Sequence, residues 1–544
     1  MLKRALAIIC LFGLLVVSLG ACGKDDGSNA ALTYPIPSQP RSLDPQLAEP
    51  AAENIIANCF EGLVVSFKED EYLPGVAEKW DISADGLIYT FHLRENAKWH
   101  KLSSFEKTFG KATADKLPDL VTAHDFVFAF RRALDPQTNS PKSSELFVIK
   151  NASEVNQGKA PVSSLAVEAT DNHTLKVTLL YPHRDFLKIL TSSMCMPCNL
   201  EFFEATGGKY GLGDDFIMCN GPFYLSAWNP DHSFFVRKNK DYWAVEKVLP
   251  ASVTFRINPN TEQYLQKLQQ GTYCAAPISS QTKFVSDDSV SFQTLENEVR
   301  LLALNCADPV LRNEKLRLSL LSALDETTLQ PLREGGLSTD LAIPSCCLKG
   351  AFVNFSNSRN LIKPAFDKHD AASLFETALS ELEKKSVSIE FICPEEFERP
   401  VRALLQVWQK TFGVAISAKV TSIPRTELEE RVKKGNYQFA LTSLIAQSSS
   451  LGDHLRAFLS DSPTNIINFQ SDLYDSLLES SGLATDDSAL LQQYVAAHNL
   501  LIQGGALLPL SLHSNYMALA KGVSGLYYSS AAERVYFISA VKID

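Results

Sequence analysis

The sequence feature that most constrains the fold is the segment at residues 74–99, PGVAEKWDISADGLIYTFHLRENAKW. Ser-Ala-Asp-Gly at positions 83–86 predicts a tight reversal, because Asp-Gly supplies the positive φ angles that hairpin turns require. In the arm that follows, Tyr89, Phe91 and Leu93 alternate with polar residues. This period of two is typical of a half-buried strand, so the segment predicts a β-hairpin with one face in a hydrophobic core.

The length of the chain predicts more than one domain. The protein has 544 residues, of which 45% are hydrophobic, whereas a single core rarely serves more than about 250 to 300 residues. We therefore expect two or three domains. The formal net charge of -11 excludes nucleic acid as a partner, because such binding requires clustered positive charge.

The first residues indicate export. Two basic residues precede an apolar stretch at 5–17, which is too short to cross a hydrocarbon layer of about 30 Å. Leu-Gly-Ala-Cys at 19–22 matches the bacterial lipobox. We expect a signal peptide at 1–21 and acyl chains on Cys22, so that the mature chain is lipid-anchored in the cell envelope, on the periplasmic side in a Gram-negative cell. The alternative is an ordinary cleavage site with a chance cysteine.

The cysteines do not predict a metal or redox site. Of eleven cysteines, removing Cys10 with the signal and Cys22 with the anchor leaves nine, an odd number. Cys195 and Cys198 have C-x-x-C spacing, but a zinc site needs a second ligand pair and the sequence offers neither another C-x-x-C nor H-x(3-5)-H. We expect unpaired or structurally paired thiols, no metal and no cofactor. The adjacent pair at 346–347 has no assignment.

Patterns along the chain predict both helices and strands. Behind Thr122, a candidate N-cap, residues 121–134 place four large apolar side chains at helical spacing, which predicts a helix packed on a core. Residues 386–420 alternate strand, helix and strand, a βαβ pattern that implies parallel strands. The ends of the chain are rich in strands, so distant segments are expected to share a domain.

Six stretches in the same order resemble one family. Besides the hairpin they are LDP (43–45), VTAHDFVFAFRRALDP (121–136), NGPFYLSAWNP (220–230), RKNKDYW (237–243) and LRLSLLSALD (316–325). Together they resemble the bacterial extracellular solute-binding proteins of family 5, which serve peptide-importing ABC transporters, especially the oligopeptide-binding type. Against that family, residues 100–120 look like an insertion, expected as a surface loop or short helix.

The resemblance implies an α/β fold of the type II periplasmic binding proteins. That fold has two lobes with a hinge and, as in cluster C, an extra domain in the first lobe. The implied ranges are 1–21 signal peptide, 22–31 tether, 32–60, 191–299 and 512–544 lobe I, 61–190 the additional domain packed on lobe I, and 300–511 lobe II.

The resemblance also implies a function. A monomer would capture oligopeptides between its lobes and deliver them to the permease of an ABC importer, without enzymatic activity. One alternative is a family member for another solute, such as glutathione, a metal complex or a wall peptide. A weaker one is an envelope hydrolase, although the sequence has no G-x-S-x-G, H-E-x-x-H or Walker motif.

The ligand-binding strand implied by the resemblance is Ser443, Leu444 and Ile445. An extended peptide would pair with its main chain, and Glu49 and Ala51 would face it from the other lobe. Main-chain pairing reads no side chain, so many peptide sequences would be accepted.

Residues for the ligand termini depart from the family. Gln447 stands where peptide-binding relatives carry an acid for the ligand ammonium, and Leu441 replaces an arginine, so recognition of a free amino terminus is expected to be weak. Arg399 falls near a position that meets a ligand carboxylate, although a solvated surface role is equally compatible. Glu298 and Ile445 occupy positions that form a disulfide in the best-known member, so that bridge is expected to be missing.

Overall fold

The computed structural model describes residues 29–68, 71–183, 185–279, 282, 288–364, 368–446, 450–462, 464–481, 484, 486–529 and 534–543. The first strands are β1 (Ala31–Ile36), β2 (Val64–Lys68), β3 (Glu71–Pro74), β4 (Ala77–Ile82), β5 (Ile88–Leu93), β6 (Val167–Asp171), β7 (Thr174–Thr178), β8 (Phe223–Asn229), β9 (Ser233–Lys238), β10 (Ser252–Ile257), β11 (Ala275–Ile278) and β12 (Val290–Thr294). Then follow β13 (Glu298–Leu304), β14 (Leu337–Ser338), β15 (Val387–Pro394), β16 (Ile416–Ile423), β17 (Phe439–Ile445) and β18 (Leu507–His513). The last strands are β19 (Tyr516–Ala520), β20 (Val523–Ser524), β21 (Tyr527–Ser529), β22 (Arg534–Tyr536) and β23 (Val541–Lys542).

The α-helices divide in the same way. Up to residue 269 they are α1 (Pro50–Cys59), α2 (Phe105–Phe109), α3 (Lys111–Ala114), α4 (Ala123–Leu134), α5 (Ala152–Asn156), α6 (Phe186–Ile189), α7 (Leu200–Ala205) and α8 (Tyr264–Gln269). Beyond it they are α9 (Glu314–Ser322), α10 (Glu326–Leu329), α11 (Lys368–Glu381), α12 (Glu398–Phe412), α13 (Arg425–Lys433), α14 (Leu451–Arg456), α15 (Asp472–Ser481) and α16 (Asp487–Gln503).

The predicted hairpin is confirmed as β4 and β5, which pair in antiparallel fashion. Gly86 adopts a φ of 70° in the turn, as the Asp-Gly signal requires. Tyr89, Phe91 and Leu93 are buried, with the polar residues between them more exposed. The hairpin belongs to a four-stranded antiparallel sheet of order β4-β5-β7-β6.

The predicted helix is confirmed as α4. Thr122 and Asp125 form a capping box, in which the Thr122 N–H donates to Asp125 Oδ2 at 2.8 Å. Residues 100–120 contribute α2 and α3, as expected of a segment with a short helix. Phe105 of α2 is buried, with its ring centroid 5.1 Å from that of Phe202, so this segment is tied to the core.

Two further sheets complete the first lobe. In the order β1-β10-β9-β8, the pair β1 and β10 is parallel and the other pairs are antiparallel. The second has the order β11-β19-β12, so its central strand comes from the end of the chain. The start, middle and end of the chain therefore share this lobe, which follows from the strand-rich ends of the sequence.

The second lobe contains a six-stranded sheet of order β14-β18-β13-β17-β15-β16. The predicted βαβ unit is confirmed, since β15 and β16 are parallel and α12 lies between them in the chain. Strand β17 lies on the other side of β15 and is also parallel to it. Strand β13 runs antiparallel to both β17 and β18.

Buried side chains form separate cores in the two lobes. One cluster draws only on residues 32–295 and 517–540. Two others, drawn from 301–507 and 302–510, both include residues of the central strands of the six-stranded sheet. The confirmed architecture is therefore a two-lobe α/β fold, with the four-stranded sheet as an extra unit on the first lobe.

Two short connections join the lobes. Residues 295–297 link β12 to β13, and residues 514–515 link β18 to β19. They are bound to each other, because the Leu295 N–H donates to Asn515 O at 2.9 Å and Asn515 Nδ2 donates to Asn297 Oδ1 at 3.1 Å. Paired connections of this kind form a hinge. Among the described residues, no helix combines the length and apolar character needed to cross a membrane.

Candidate functional site

One edge of the six-stranded sheet lies next to the hinge. The parallel strands β15, β16, β17 and β18 all end at this edge, while the antiparallel strand β13 begins there. The Ala446 N–H donates to Asn297 O at 2.8 Å, which attaches the end of β17 to the hinge. Ligands of open α/β sheets bind beyond the carboxyl ends of the strands, so this edge is the candidate site.

Strand β17 extends beyond its pairing with β15. It pairs with β13 along its whole length, but with β15 only at Phe439 and Ala440. Ser443 and Leu444 therefore lie past the register with β15, and both are half-buried. Ile445 ends the strand with 40% of its surface exposed. A strand edge of this kind can accept an extended peptide by main-chain pairing.

Glu49 and Ala51 lie at the start of α1 on the first lobe. Glu49 is the N-cap residue, and Pro50 is the first residue of the helix. The Glu49 carboxylate is already engaged by Arg41, whose Nε donates to Glu49 Oε2 at 3.0 Å. This turn therefore offers main-chain groups and a neutralised carboxylate rather than a free negative charge.

Arg399 is exposed at the second position of α12, the helix that follows β15. Leu441 is buried in one of the two cores of the second lobe, so the leucine acts there as a core residue. Gln447 and Cys22 lie outside the described residues. The structure thus gathers Ser443, Leu444 and Ile445 on one strand and places Glu49 and Ala51 on the opposite lobe.

A buried polar network supports the start of α1. Glu53, one turn after Glu49, is 2.7 Å from Arg534 Nη2 and 2.9 Å from Lys142 Nζ, and it accepts a hydrogen bond from Ser193 Oγ at 2.5 Å. Burial alone would raise the pKa of Glu53, but Arg534 and Lys142 outweigh it and lower the pKa to about 2. The carboxylate is therefore ionised and ties α1 to distant parts of the first lobe.

Charged side chains are also buried beside the hinge, and sequence reasoning missed them. Arg300 Nη1 donates to Glu334 O at 2.9 Å, and its guanidinium lies 4.7 Å from the Phe397 ring centroid. Burial lowers the pKa of His513 to about 4, and Arg300 adds to this effect. The imidazole is therefore neutral at pH 7, with its Nε2 2.9 Å from Ser511 Oγ. The signal that could have found them is a charged pair inside the otherwise apolar strand EVRLLAL.

The thiols of the C-x-x-C segment are buried. Burial raises the pKa of Cys198 to about 12, so it stays a protonated thiol, and Arg132 Nη1 lies 3.5 Å from its Sγ. Within the described part of the chain, no group of three or more His, Cys, Asp or Glu residues is arranged to hold a metal ion.

The hinge, the two lobes and the strand edge between them define the class of type II periplasmic binding proteins. Residues 71–465 match the family described as bacterial extracellular solute-binding proteins, family 5 Middle. The chain belongs to this family, which confirms the resemblance read from the sequence.

Relatives and solved structures agree over nearly the whole chain. The periplasmic oligopeptide-binding protein OppA of Salmonella typhimurium is 26% identical over 524 residues, which cover 92% of this chain and 90% of that protein. The substrate-binding domain of an oligopeptide ABC transporter from Bacillus anthracis superposes with a TM-score of 0.73 at 24% identity, covering 94% of this chain and 99% of that one.

Two structures of the murein tripeptide-binding protein MppA bracket the arrangement of the lobes. The structure of the Escherichia coli protein gives a TM-score of 0.72 at 22% identity and covers 94% of this chain and 98% of that one. The structure described as the unliganded open form gives 0.63 at the same identity and covers 95% and 99%. The chain is thus less similar to the open form.

Proposed function

We propose that this chain captures oligopeptides outside the cytoplasmic membrane and delivers them to the permease of an ABC importer. The observation that carries the proposal is the edge of β17, which runs past its pairing with β15 and ends beside the hinge. Family membership and relatives that bind oligopeptides support it. The proposal contains no catalytic step.

The binding mode rests on main-chain groups. An extended peptide would add to β17 at Ser443, Leu444 and Ile445, while the first turn of α1, with Glu49 and Ala51, closes over it from the first lobe. Each main-chain hydrogen bond contributes about 1 kcal/mol net, whatever the ligand side chains are. Affinity would therefore depend on backbone length more than on sequence.

The ligand termini would be recognised less strictly than its backbone. Gln447 is neutral and can offer an ammonium group only a hydrogen bond without charge. Arg399 is the candidate partner for the ligand carboxylate because it is exposed at the start of the helix after β15. Both assignments are part of the proposal.

We further propose export and anchoring through acyl chains on Cys22, which would hold a monomer in the cell envelope near its permease. The predicted domain ranges belong to the same proposal. Lobe I comprises 32–60, 191–299 and 512–544, the additional domain 61–190 and lobe II 300–511. A tether ending at 31 would leave the first strand within a residue of the anchor segment.

The decisive experiment compares backbone and side-chain changes in the ligand. Calorimetric titration would use an alanine tetrapeptide, versions N-methylated at one amide, and versions with one side chain exchanged. N-methylation at a pairing amide should weaken binding up to about tenfold, while side-chain exchange should stay within about threefold. The matched readout is the radius of gyration, which should decrease on saturation because the hinge closes.

The opposite pattern would reject the proposal. If side-chain exchange mattered more than N-methylation, main-chain pairing would be wrong. If no peptide bound, mass spectrometry of the solute that co-purifies would identify another ligand of the family, with glutathione, a metal complex and a wall peptide as the alternatives. Hydrolysis of casein or generic esters would instead indicate an envelope hydrolase.

A further inference from the structure

An ion pair joins the lobes outside the strand edge. Lys188 Nζ lies 2.5 Å from Asp453 Oδ2. Lys188 belongs to α6, where Phe186 packs in the first-lobe core with its ring centroid 4.8 Å from that of Tyr89. Asp453 belongs to α14, whose buried Leu455 lies in a second-lobe core. The contact therefore exists only while the lobes are together.

The ion pair is partly shielded from water. The Lys188 side chain is 20% exposed and that of Asp453 is 38% exposed. Ion pairs on open surfaces add little, because water and salt screen them, whereas partial burial strengthens the attraction. The geometry is thus more favourable than that of an ordinary surface pair.

Both partners stand on segments that the protein already holds in place. On the first lobe, Thr191 Oγ1 donates to Lys188 O at 2.7 Å, and Arg534 Nη1 donates to Thr191 O at 2.6 Å. Arg534 is the buried partner of Glu53, so α6 is connected to the start of α1. This anchoring reduces the conformational entropy lost when the pair forms.

The second-lobe side is held in a similar way. The Asp453 N–H donates to Ser450 Oγ at 3.2 Å, which caps α14. Arg456 Nη1 lies 4.0 Å from Asp453 Oδ1, and Arg456 Nη2 donates to Ser481 Oγ at 3.0 Å. The carboxylate is therefore presented towards the first lobe by a fixed helical turn.

Asp453 is the first acidic residue after β17. In a cleft that lacks an acid at Gln447, it is the nearest residue that could receive the ammonium group of a peptide. Its Oδ2 instead meets an ammonium group of the protein itself. The chain thus supplies from its own first lobe the charge that a ligand would otherwise bring.

We propose that the Lys188–Asp453 pair stabilises the closed molecule, and that Lys188 rather than the ligand amino terminus is the cation for Asp453. The second half rests on the proposed peptide-binding function. The first half does not, because the contact joins two parts of one chain. Asp453 is accordingly a closing residue whose removal affects all ligands equally.

The closing role is tested without ligand by small-angle scattering. Lys188→Met should give a larger radius of gyration than the wild type, because the lobes separate more often. Lys101→Met is the matched control, since Lys101 pairs at 2.6 Å with Asp119 only nine residues before the helix α4 of the same lobe, and within one unit. It should leave the radius unchanged. Equal radii for all three proteins would overturn the closing role.

The pairing is tested by a double-mutant cycle with the alanine tetrapeptide. Lys188→Met and Asp453→Asn should each weaken binding about three- to tenfold, and the double variant should bind no more weakly than either one. Exchanging the charges, with Lys188→Glu and Asp453→Lys together, should recover part of the loss. Additive effects and no recovery would overturn the pairing.

The role of Asp453 towards the ligand is tested with the same tetrapeptide, free and N-acetylated. Asp453→Asn should weaken both forms by the same factor and leave the ratio of their dissociation constants unchanged. A variant that loses a preference for the free amine would show that Asp453 binds the ligand and would overturn the proposal. If neither form binds, the proposed function fails, while the scattering result still decides the closing role.

Discussion

Glu298 and Ile445 lie directly opposite each other across β13 and β17, at the edge of the sheet beside the hinge. Opposed residues of antiparallel strands have Cβ atoms about 4.5 to 5.5 Å apart, close to the separation that a disulfide needs. We expect Glu298→Cys with Ile445→Cys to form a disulfide and to stabilise the protein by about 2 to 4 kcal/mol. Thermal unfolding with and without reductant measures the gain, and peptide mapping identifies the bridge.

The single variant Ile445→Cys is the control for this prediction. It should gain a reactive thiol without the reductant-dependent shift of the unfolding temperature. A double variant whose two new thiols both remain free for alkylation would show that the register at this edge is wrong.

Stability at low pH should depend on Glu53. Its pKa is about 2 in the folded chain against an ordinary value of 4.5, so the carboxylate stabilises the folded state above pH 4.5 and loses this contribution as the pH falls towards 2. Glu53→Gln leaves Arg534 buried without its partner and should cost about 3 to 5 kcal/mol at pH 7. Urea unfolding at pH 7 and pH 3 measures both effects. The same pH dependence in the variant and the wild type would contradict this account.

Glu61 should act in the opposite direction. It is buried, and burial raises its pKa to about 7 although Tyr242 and Trp243 donate hydrogen bonds to it. The unfolded chain ionises first, so the free energy of unfolding should fall by about 1 to 3 kcal/mol as the pH rises from 4.5 to 7. Glu61→Gln should remove this decline. Denaturant titrations at pH 5 and pH 8 check it, and a decline that persists in the variant would assign the effect to another group.

Anchoring should depend on Cys22. Cys22→Ser removes the sulfur that carries the lipid, so the variant should leave the membrane fraction or stay unprocessed. Fractionation with immunoblotting measures this, and metabolic labelling with a fatty acid gives a second readout. A wild-type chain that is soluble after cell breakage would reject the anchor.

Acetylation of the ligand amino terminus should cost the wild type less than about tenfold in affinity, or about 1.4 kcal/mol, because Gln447 carries no charge. Gln447→Asp should introduce a preference for the free amine, since a charge-assisted hydrogen bond contributes about 1.5 to 3 kcal/mol. Calorimetry of one peptide in both forms against both proteins measures the difference. A wild type that rejects the acetylated form by about a hundredfold would place an acid at the ligand amine.

Sequence reasoning predicted the elements whose signals are local. The alternation of Tyr89, Phe91 and Leu93 and the cap at Thr122 lie within a few residues of the structures that they determine. The βαβ unit was predictable for the same reason. The segment at 100–120 was harder, because Phe105 is buried against Phe202 from another part of the chain.

The site was predictable only in part. The strand at 443–445 follows from the resemblance and from its place at the end of a parallel strand. Its partners do not, because Asn297 and Asn515 meet across 218 residues and Lys188 and Asp453 across 265. Contacts at such separation depend on how whole lobes pack, which leaves no trace in the spacing of neighbouring residues.

The separation of the hydrophobic cores has a consequence for transport. Each buried cluster in the described part of the chain lies wholly on one side of the hinge. Opening the molecule therefore exposes little of the apolar surface that dominates folding stability, and the two conformations can differ by only a few kcal/mol. A difference of this size can be reversed by one bound solute and again by a membrane partner, so the same molecule can serve many cycles of uptake without unfolding.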